Sequence, residues 1–196
     1  NGFGGILADD MGLGKTIQII ALLQAEAQEH PESQSLIICP ASLVYNWENE
    51  LKRFAPGLTV QTVTGTAPER EEILRIAVQT GMETTQAALK TAVIRHPQIL
   101  ITSYDLLKRD ITCYEPFQFR FQVIDEAQYI KNPLTQSAKS VKLIKAQTRC
   151  ALTGTPIENR LAELWSIFDY LMPGFLFTYS HFRRQFEAPI VKDGDT

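Results

Sequence analysis

Long apolar runs are missing from this chain. None of its stretches approaches the roughly 18 residues that a membrane-crossing helix needs, and no basic segment followed by an apolar one marks a secretory leader. No membrane partner is expected. Basic charge is not in excess either: 19 Lys and Arg stand against 22 Asp and Glu, a formal net charge of −3. That excludes capture of nucleic acid by a general basic field, so any such contact has to be local. Cysteine is scarce and odd in number (Cys39, Cys113 and Cys150), and His30, His96 and His181 show no ligand spacing with it. The pattern excludes a disulfide framework and a Cys/His metal site. The apolar surroundings of Cys39 and Cys150 predict buried free thiols in a reducing compartment. Internal repeats and low-complexity tracts are also missing. The chain opens on Asn1, a few residues before its first apolar run, and is expected to be cut from a longer protein.

What is present is an alternation. Short apolar runs at Gly5–Ala8, Leu36–Cys39, Ile99–Thr102, Val123–Asp125 and Cys150–Thr153, with a weaker one at Thr59–Val63, are each followed by a polar loop and a helical pattern. Runs this short and this apolar read as strands buried on both faces. The fold class is therefore α/β, a three-layer arrangement of one parallel sheet with helices on both faces. Helices are predicted over Thr16–Glu29, over Leu43–Phe54 and from Pro68 through Gln79. Leu161, Leu164, Trp165, Phe168, Leu171 and Met172 form one helical face, which Pro173-Gly174 terminates. The stretch 66–97 reads as two helical pieces without a strand between them, an insertion or an elaborated crossover.

Three strand ends carry chemistry. In Gly12-Leu13-Gly14-Lys15-Thr16 the glycines let backbone amides approach an anion, and the helix that follows aims its positive end at it. Lys15 would reach the β- and γ-phosphates of a nucleotide, and Thr16 would ligate Mg2+. The pattern G-x-x-x-x-G-K-[ST] has Asp9 at its first position instead of glycine. Asp125 and Glu126 close a second strand, where Asp125 can hold the metal and Glu126 can polarise a water. Leu152-Thr153-Gly154-Thr155-Pro156 closes a third, as either a nucleotide-sensing switch or an ordinary turn. Charge adds one more segment: Ala127 through Ile157 has no acidic residue and carries Lys131, Lys139, Lys142, Lys145 and Arg149. Lys131 is the candidate phosphate contact there, while the lysines at 139, 142 and 145 fit a solvated helix exterior.

Taken in order, DDMGLGKT, LIICPASLVYNWENEL, ILITSYDLL, VIDEAQYIKN and LTGTPIENRLAELWSIFDYLMPG resemble the Swi/Snf-type ATPases, helicase-superfamily-2 relatives that move along double-stranded DNA. The resemblance runs from Gly4 to Gly174 and is closest to bacterial members, in DEAQ and TPIENRLAELW. Aspartate at the first loop position is that family's own form. The resemblance implies a recombinase-like P-loop lobe over 1–175, with 176–196 starting a following helical or linker segment. It implies ATP and Mg2+ as cofactors, with Asp9, Met11, Gly12, Leu13, Gly14, Lys15 and Thr16 around the nucleotide. Lys15, Asp125 and Glu126 are implied as catalytic, with Thr16 and Asp125 on the metal. Gln128, Thr153, Gly154 and Thr155 are implied in coupling. Pro40, Ser42 and Leu43, together with Thr102, Ser103 and Tyr104, lie in segments placed against DNA. The implied partners are double-stranded DNA, a second motor lobe in cis that supplies arginine fingers, and DNA-bound proteins. The implied compartment is the bacterial cytoplasm and nucleoid, or the nucleus of a eukaryote. The chain alone is expected to hydrolyse ATP barely or not at all. The alternative from another class is a non-hydrolysing nucleotide- or DNA-binding scaffold.

Overall fold

The computed structural model describes residues 4–9, 12–83, 97–154 and 161–188. The apolar runs are strands: β1 (Gly5–Leu7), β2 (Ser35–Cys39), β3 (Val60–Thr62), β4 (Ile99–Ser103), β5 (Phe119–Ile124) and β6 (Ala146–Leu152). They pair in parallel as one sheet in the order β1-β6-β5-β2-β4-β3. β5 and β6 begin earlier than the apolar pattern predicts, because polar residues interrupt both runs. Those residues have partners inside the fold: Gln122 donates to the Val141 carbonyl at 2.8 Å, and Arg120 pairs with Glu26.

The helices are α1 (Lys15–Glu29), α2 (Val44–Phe54), α3 (Ala67–Glu83), α4 (Tyr104–Arg109), α5 (Gln136–Leu143), α6 (Leu161–Leu171) and the short α7 (Tyr179–Phe182). α1 and α2 connect strands that step one way along the sheet order, and α3, α4 and α5 connect strands that step back. Ile19, Ile20 and Leu23 of α1 and Val44, Trp47 and Leu51 of α2 pack with Ile37, Ile101 and Val123 on one face. Leu74 of α3, Leu107 of α4, Val141 of α5 and Tyr170 of α6 pack with Leu36, Ile38 and Leu100 on the other. A uniform right-handed crossover demands this division, since reversing the step moves the helix to the opposite face. The sheet is thus sandwiched as the α/β reading requires.

The first helical piece of 66–97 is α3, in the crossover from β3 to β4; the second falls on 84–96, outside the described residues. Two sequence expectations change. The face of α6 is shifted. Ser166, Ile167 and Tyr170 are its fully buried residues, whereas Leu164 and Phe168 are half-buried. The helix is covered on a second side by the segment after Gly174, through Trp165 against Tyr179 and Phe168 against Phe175. Arg149 is not a surface cation: its guanidinium donates to the carbonyls of Lys142 and Ile144 at the end of α5 and of Tyr170 at the end of α6. The carbonyls left open at two helix ends are what it satisfies. Lys142 pairs with Asp169 at 2.7 Å, and Lys139 and Lys145 are exposed.

Candidate active site

Parallel pairing brings the C-terminal ends of the strands to one margin of the sheet, where ligands of such folds bind. Leu7 lies beside Leu152, Ala151 beside Ile124, and Ile124 beside Ile38. The Thr153 amide donates to the Leu7 carbonyl and the Asp125 amide to the Ile38 carbonyl. β6 therefore stands between the strand that feeds the glycine loop and the strand that ends in the two carboxylates, with Thr153 and Gly154 between the two.

The glycine loop has the backbone its residues predict. Gly12 and Gly14 have φ of 86° and 78°, a region that side chains other than glycine's rarely enter. Nothing lies within 4 Å of a Cβ built at Gly12, so the space beside its backbone is open. Gly14 caps α1, and Lys15 begins it. The Lys15 ammonium donates to the Asp9 carbonyl at 2.8 Å, and the Asp9 carboxylate accepts from Gln18 at 3.1 Å. Asp9 at the loop's first position thus ties the loop to the first turn of α1. Leu13 is 63 % exposed. Met11 lies outside the described residues.

Asp125 and Glu126 sit across a cleft of about 530 Å³ lined by Gly12, Gly14, Lys15, Thr16, Asp125 and Glu126, with Trp47 and other α2 residues along its side. Burial pushes the Asp125 carboxyl above the usual carboxylate range. The Trp47 indole, the Glu126 amide and the Lys15 charge pull it back down, and the Glu126 charge pushes it up. A desolvated carboxylate beside a second carboxylate is electrostatically short of a cation. Glu126 adopts the left-handed backbone, φ 53° and ψ 59°, which holds its side chain at the turn and is a form of strain that clusters at functional sites. Gln128 donates to its carboxylate at 2.6 Å. The residues fit the implied ligand. Open glycine amides at a helix start suit phosphate oxygens. A carboxylate and a threonine hydroxyl are hard oxygen donors of the kind Mg2+ takes alongside phosphates and water.

A family model described as the SNF2-related domain matches residues 1–196. The chain belongs to the SNF2-related family. This SNF2-related domain is 43% identical over 188 residues to an uncharacterized ATP-dependent helicase of Mycoplasma pneumoniae, covering 95% of this chain and 16% of that protein. It is 38% identical over 199 residues to the TATA-binding protein-associated factor MOT1 of Saccharomyces cerevisiae, covering 95% of this chain and 10% of that protein. Among solved structures, the Sulfolobus solfataricus SWI2/SNF2 ATPase core in complex with double-stranded DNA superposes with a TM-score of 0.79 at 42% identity, covering 100% of this chain and 36% of that one. The chain thus spans a minor part of the length of these relatives.

The remaining predicted residues of the SNF2-related domain divide sharply. Thr153 and Gly154 lie at the margin as described, and Thr155 is outside the described residues. Ser42 is exposed in the turn Ala41–Leu43 that follows β2, with Pro40 and Leu43 half-buried beside it. Thr102, Ser103 and Tyr104 are all buried and their hydroxyls turn inward. Thr102 points to the Val63 carbonyl, and Ser103 caps α4 through the Leu106 amide. Tyr104 donates to the Asp125 carbonyl at 2.8 Å and stacks on Tyr129 with centroids 4.9 Å apart. Their side chains serve the fold and the site, and only their backbone could meet a DNA strand. Lys131 is also buried: it is 8% exposed, and its ammonium lies 3.6 Å from Glu163, so its charge is directed into the protein. The sequence reading overlooked Trp47, whose indole donates to the Asp125 carboxylate at 2.9 Å. The available signal was a tryptophan on the apolar stripe of an amphipathic helix, a side chain whose N–H finds a partner when buried.

Cys39 ends β2 behind Asp125. Burial first, and the Asp125 charge second, push its thiol up to about 12 from 9.0. At pH 8 its thiolate fraction is about 10⁻⁴, and the thiolate is the reactive form. In native protein at pH 8, Cys39 is expected to resist alkylation by iodoacetamide while the half-buried Cys113 reacts. Cys39 should become labelled only in denaturant, as peptide mapping of the alkylated protein would show.

Proposed function

We propose that this chain is the first ATP-binding lobe of a motor that moves along double-stranded DNA. The observation that carries the reading is the single cleft lined by Lys15, Thr16, Asp125 and Glu126, residues far apart in sequence. In it the amides of the Gly12–Lys15 turn cradle phosphates, and Lys15 leaves the Asp9 carbonyl for the β- and γ-phosphates. Thr16 and Asp125 would hold a magnesium ion, and Glu126 would orient and polarise a water. A bound magnesium ion supplies neutralisation of charge on the transferred phosphoryl group. Thr153 and Gly154, one strand away from both motifs, and Gln128, on the Glu126 carboxylate, are placed to relay nucleotide state. DNA meets the same margin through the turn at Pro40, Ser42 and Leu43 and through backbone amides, contacts that position the duplex without reading its bases. The DNA complex of the Sulfolobus relative and the TATA-binding-protein association in the name of MOT1 support a motor acting on duplex DNA and on proteins bound to it.

Hydrolysis at full rate needs an arginine finger, worth about 10³–10⁵ in rate. We assign that group to a second lobe in cis, consistent with the 36% of the Sulfolobus chain that this one covers. Isothermal titration of the chain with ATP is expected to show binding that Mg2+ strengthens and that is lost in Lys15→Ala. Phosphate release by the chain alone should stay about 10³-fold or more below that of the two-lobe protein. Magnesium-independent binding that survives Lys15→Ala would remove the cleft from consideration as the nucleotide site.

A further inference from the structure

Asp125 is held at both carboxylate oxygens by its own chain. The Glu126 amide donates to Oδ1 at 2.8 Å, and the Trp47 indole donates to Oδ2 at 2.9 Å. Turning the carboxylate about its Cβ–Cγ bond breaks both bonds, while each oxygen keeps a second lone-pair direction free for a cation. The first donor belongs to the same strand end. The second comes from α2, and it cannot move independently of that helix. Trp47 is 2% exposed, packed in the cluster that contains Ile20, Val44, Leu51 and Val123. The helix itself begins directly after the exposed turn Ala41–Leu43.

The other tryptophan shows what a packing role looks like. Trp165 is also buried, and its indole donates to the backbone carbonyl of Phe177 at 3.3 Å. Trp47 donates instead to a carboxylate that lines the cleft, and it lines the cleft itself.

We infer that Trp47 is a positioning residue for the magnesium site: its indole N–H sets the orientation of the Asp125 carboxylate and makes that orientation depend on where α2 lies. The inference rests on the reading of the cleft as a Mg-ATP site. Groups that orient a metal ligand cost about 10–100-fold in metal affinity when they are removed. Because α2 starts at the turn proposed to meet DNA, a shift of that turn would reach the carboxylate through this one bond.

The test is Trp47→Phe, which keeps an aromatic ring and removes the N–H. ATP affinity is measured by calorimetry across a Mg2+ titration and again in EDTA. The half-saturating Mg2+ concentration should rise about 10–100-fold, with affinity in EDTA unchanged. Trp165→Phe should leave the Mg2+ dependence at the wild-type value. In Trp165→Phe, Trp47 is the one tryptophan left of the two in the sequence, so its emission should shift on adding ATP with Mg2+ and stay constant on adding ATP in EDTA. An unchanged Mg2+ dependence in Trp47→Phe overturns the inference, as does an equal loss of affinity with and without Mg2+, the mark of packing alone. Should Trp47→Phe fail to fold, silence of the Trp47 emission toward Mg-ATP overturns it instead. A wild-type protein that binds no Mg-ATP fails differently, because it removes the reading of the cleft and this inference with it.

Discussion

Glu126→Gln is expected to keep Mg-ATP affinity near the wild-type value and to lower turnover about 10²–10⁴-fold, the range for loss of a positioned proton acceptor. The substitution preserves shape and removes only the group that polarises water. The left-handed turn at Glu126 is a backbone property that glutamine keeps, and the amide that donates to Asp125 Oδ1 is unaffected. Gln128 would still find a side-chain oxygen to donate to. Asp125 and its indole partner are untouched, so the groups proposed to hold phosphate and metal stay in place. Phosphate release stimulated by duplex DNA, measured on the two-lobe protein, reports turnover. Calorimetry on the same variant reports binding. A variant that binds and still turns over at the wild-type rate would assign the water to another group. A wild-type protein that binds Mg-ATP without turning it over would instead favour the non-hydrolysing scaffold.

Arg70→Ala is expected to cost about 3 kcal/mol of stability, at the low end of what breaking a buried ion pair costs. Arg70, at the start of α3, donates to both oxygens of Asp110 at 2.5 and 2.8 Å and to the Gly65 carbonyl at 2.7 Å. Arg70 and Asp110 side chains are 5% and 12% exposed, so alanine at 70 leaves a carboxylate with little water to replace its partner. The bidentate geometry is the strong form of such a pair. It also joins two crossovers on one face of the sheet, the one entering β4 and the one leaving it. For a domain of this size the loss corresponds to a fall in Tm of about 6–12 °C, which a calorimetric scan measures. Arg70→Ala/Asp110→Ala should recover part of it, since no charge is then left buried. Equal stability of the single and double variants would show that the loss does not come from leaving the Asp110 carboxylate unpaired.

Much of the fold was legible because its signals are local. Leu36–Cys39 and Ile99–Thr102 are apolar without alternation, which marks strands covered on both faces, and the helical stretches between them force parallel pairing. The glycine loop was legible because its glycines, lysine and hydroxyl stand within five consecutive residues, Gly12 to Thr16. The shifted face of α6 was harder to see. Its second covering surface comes from the segment around Tyr179, and periodicity alone does not say how many sides of a helix are covered.

The glycine loop, the carboxylate pair, the α/β class and the family are properties that the order of residues determined by itself. Each depends on contacts within a loop, or on the apolar rhythm of one element. Tertiary structure alone decided which polar groups face the cleft and which face the core. Thr102, Ser103 and Lys131 have surface chemistry in the sequence and are buried in the fold, while Trp47 and Asp125 meet across 78 residues. Those outcomes follow from the sheet order, in which β5 pairs with β2 and the helix after β2 comes to lie beside the end of β5. A strand order is the joint result of every crossover at once, so no single stretch of the chain records it.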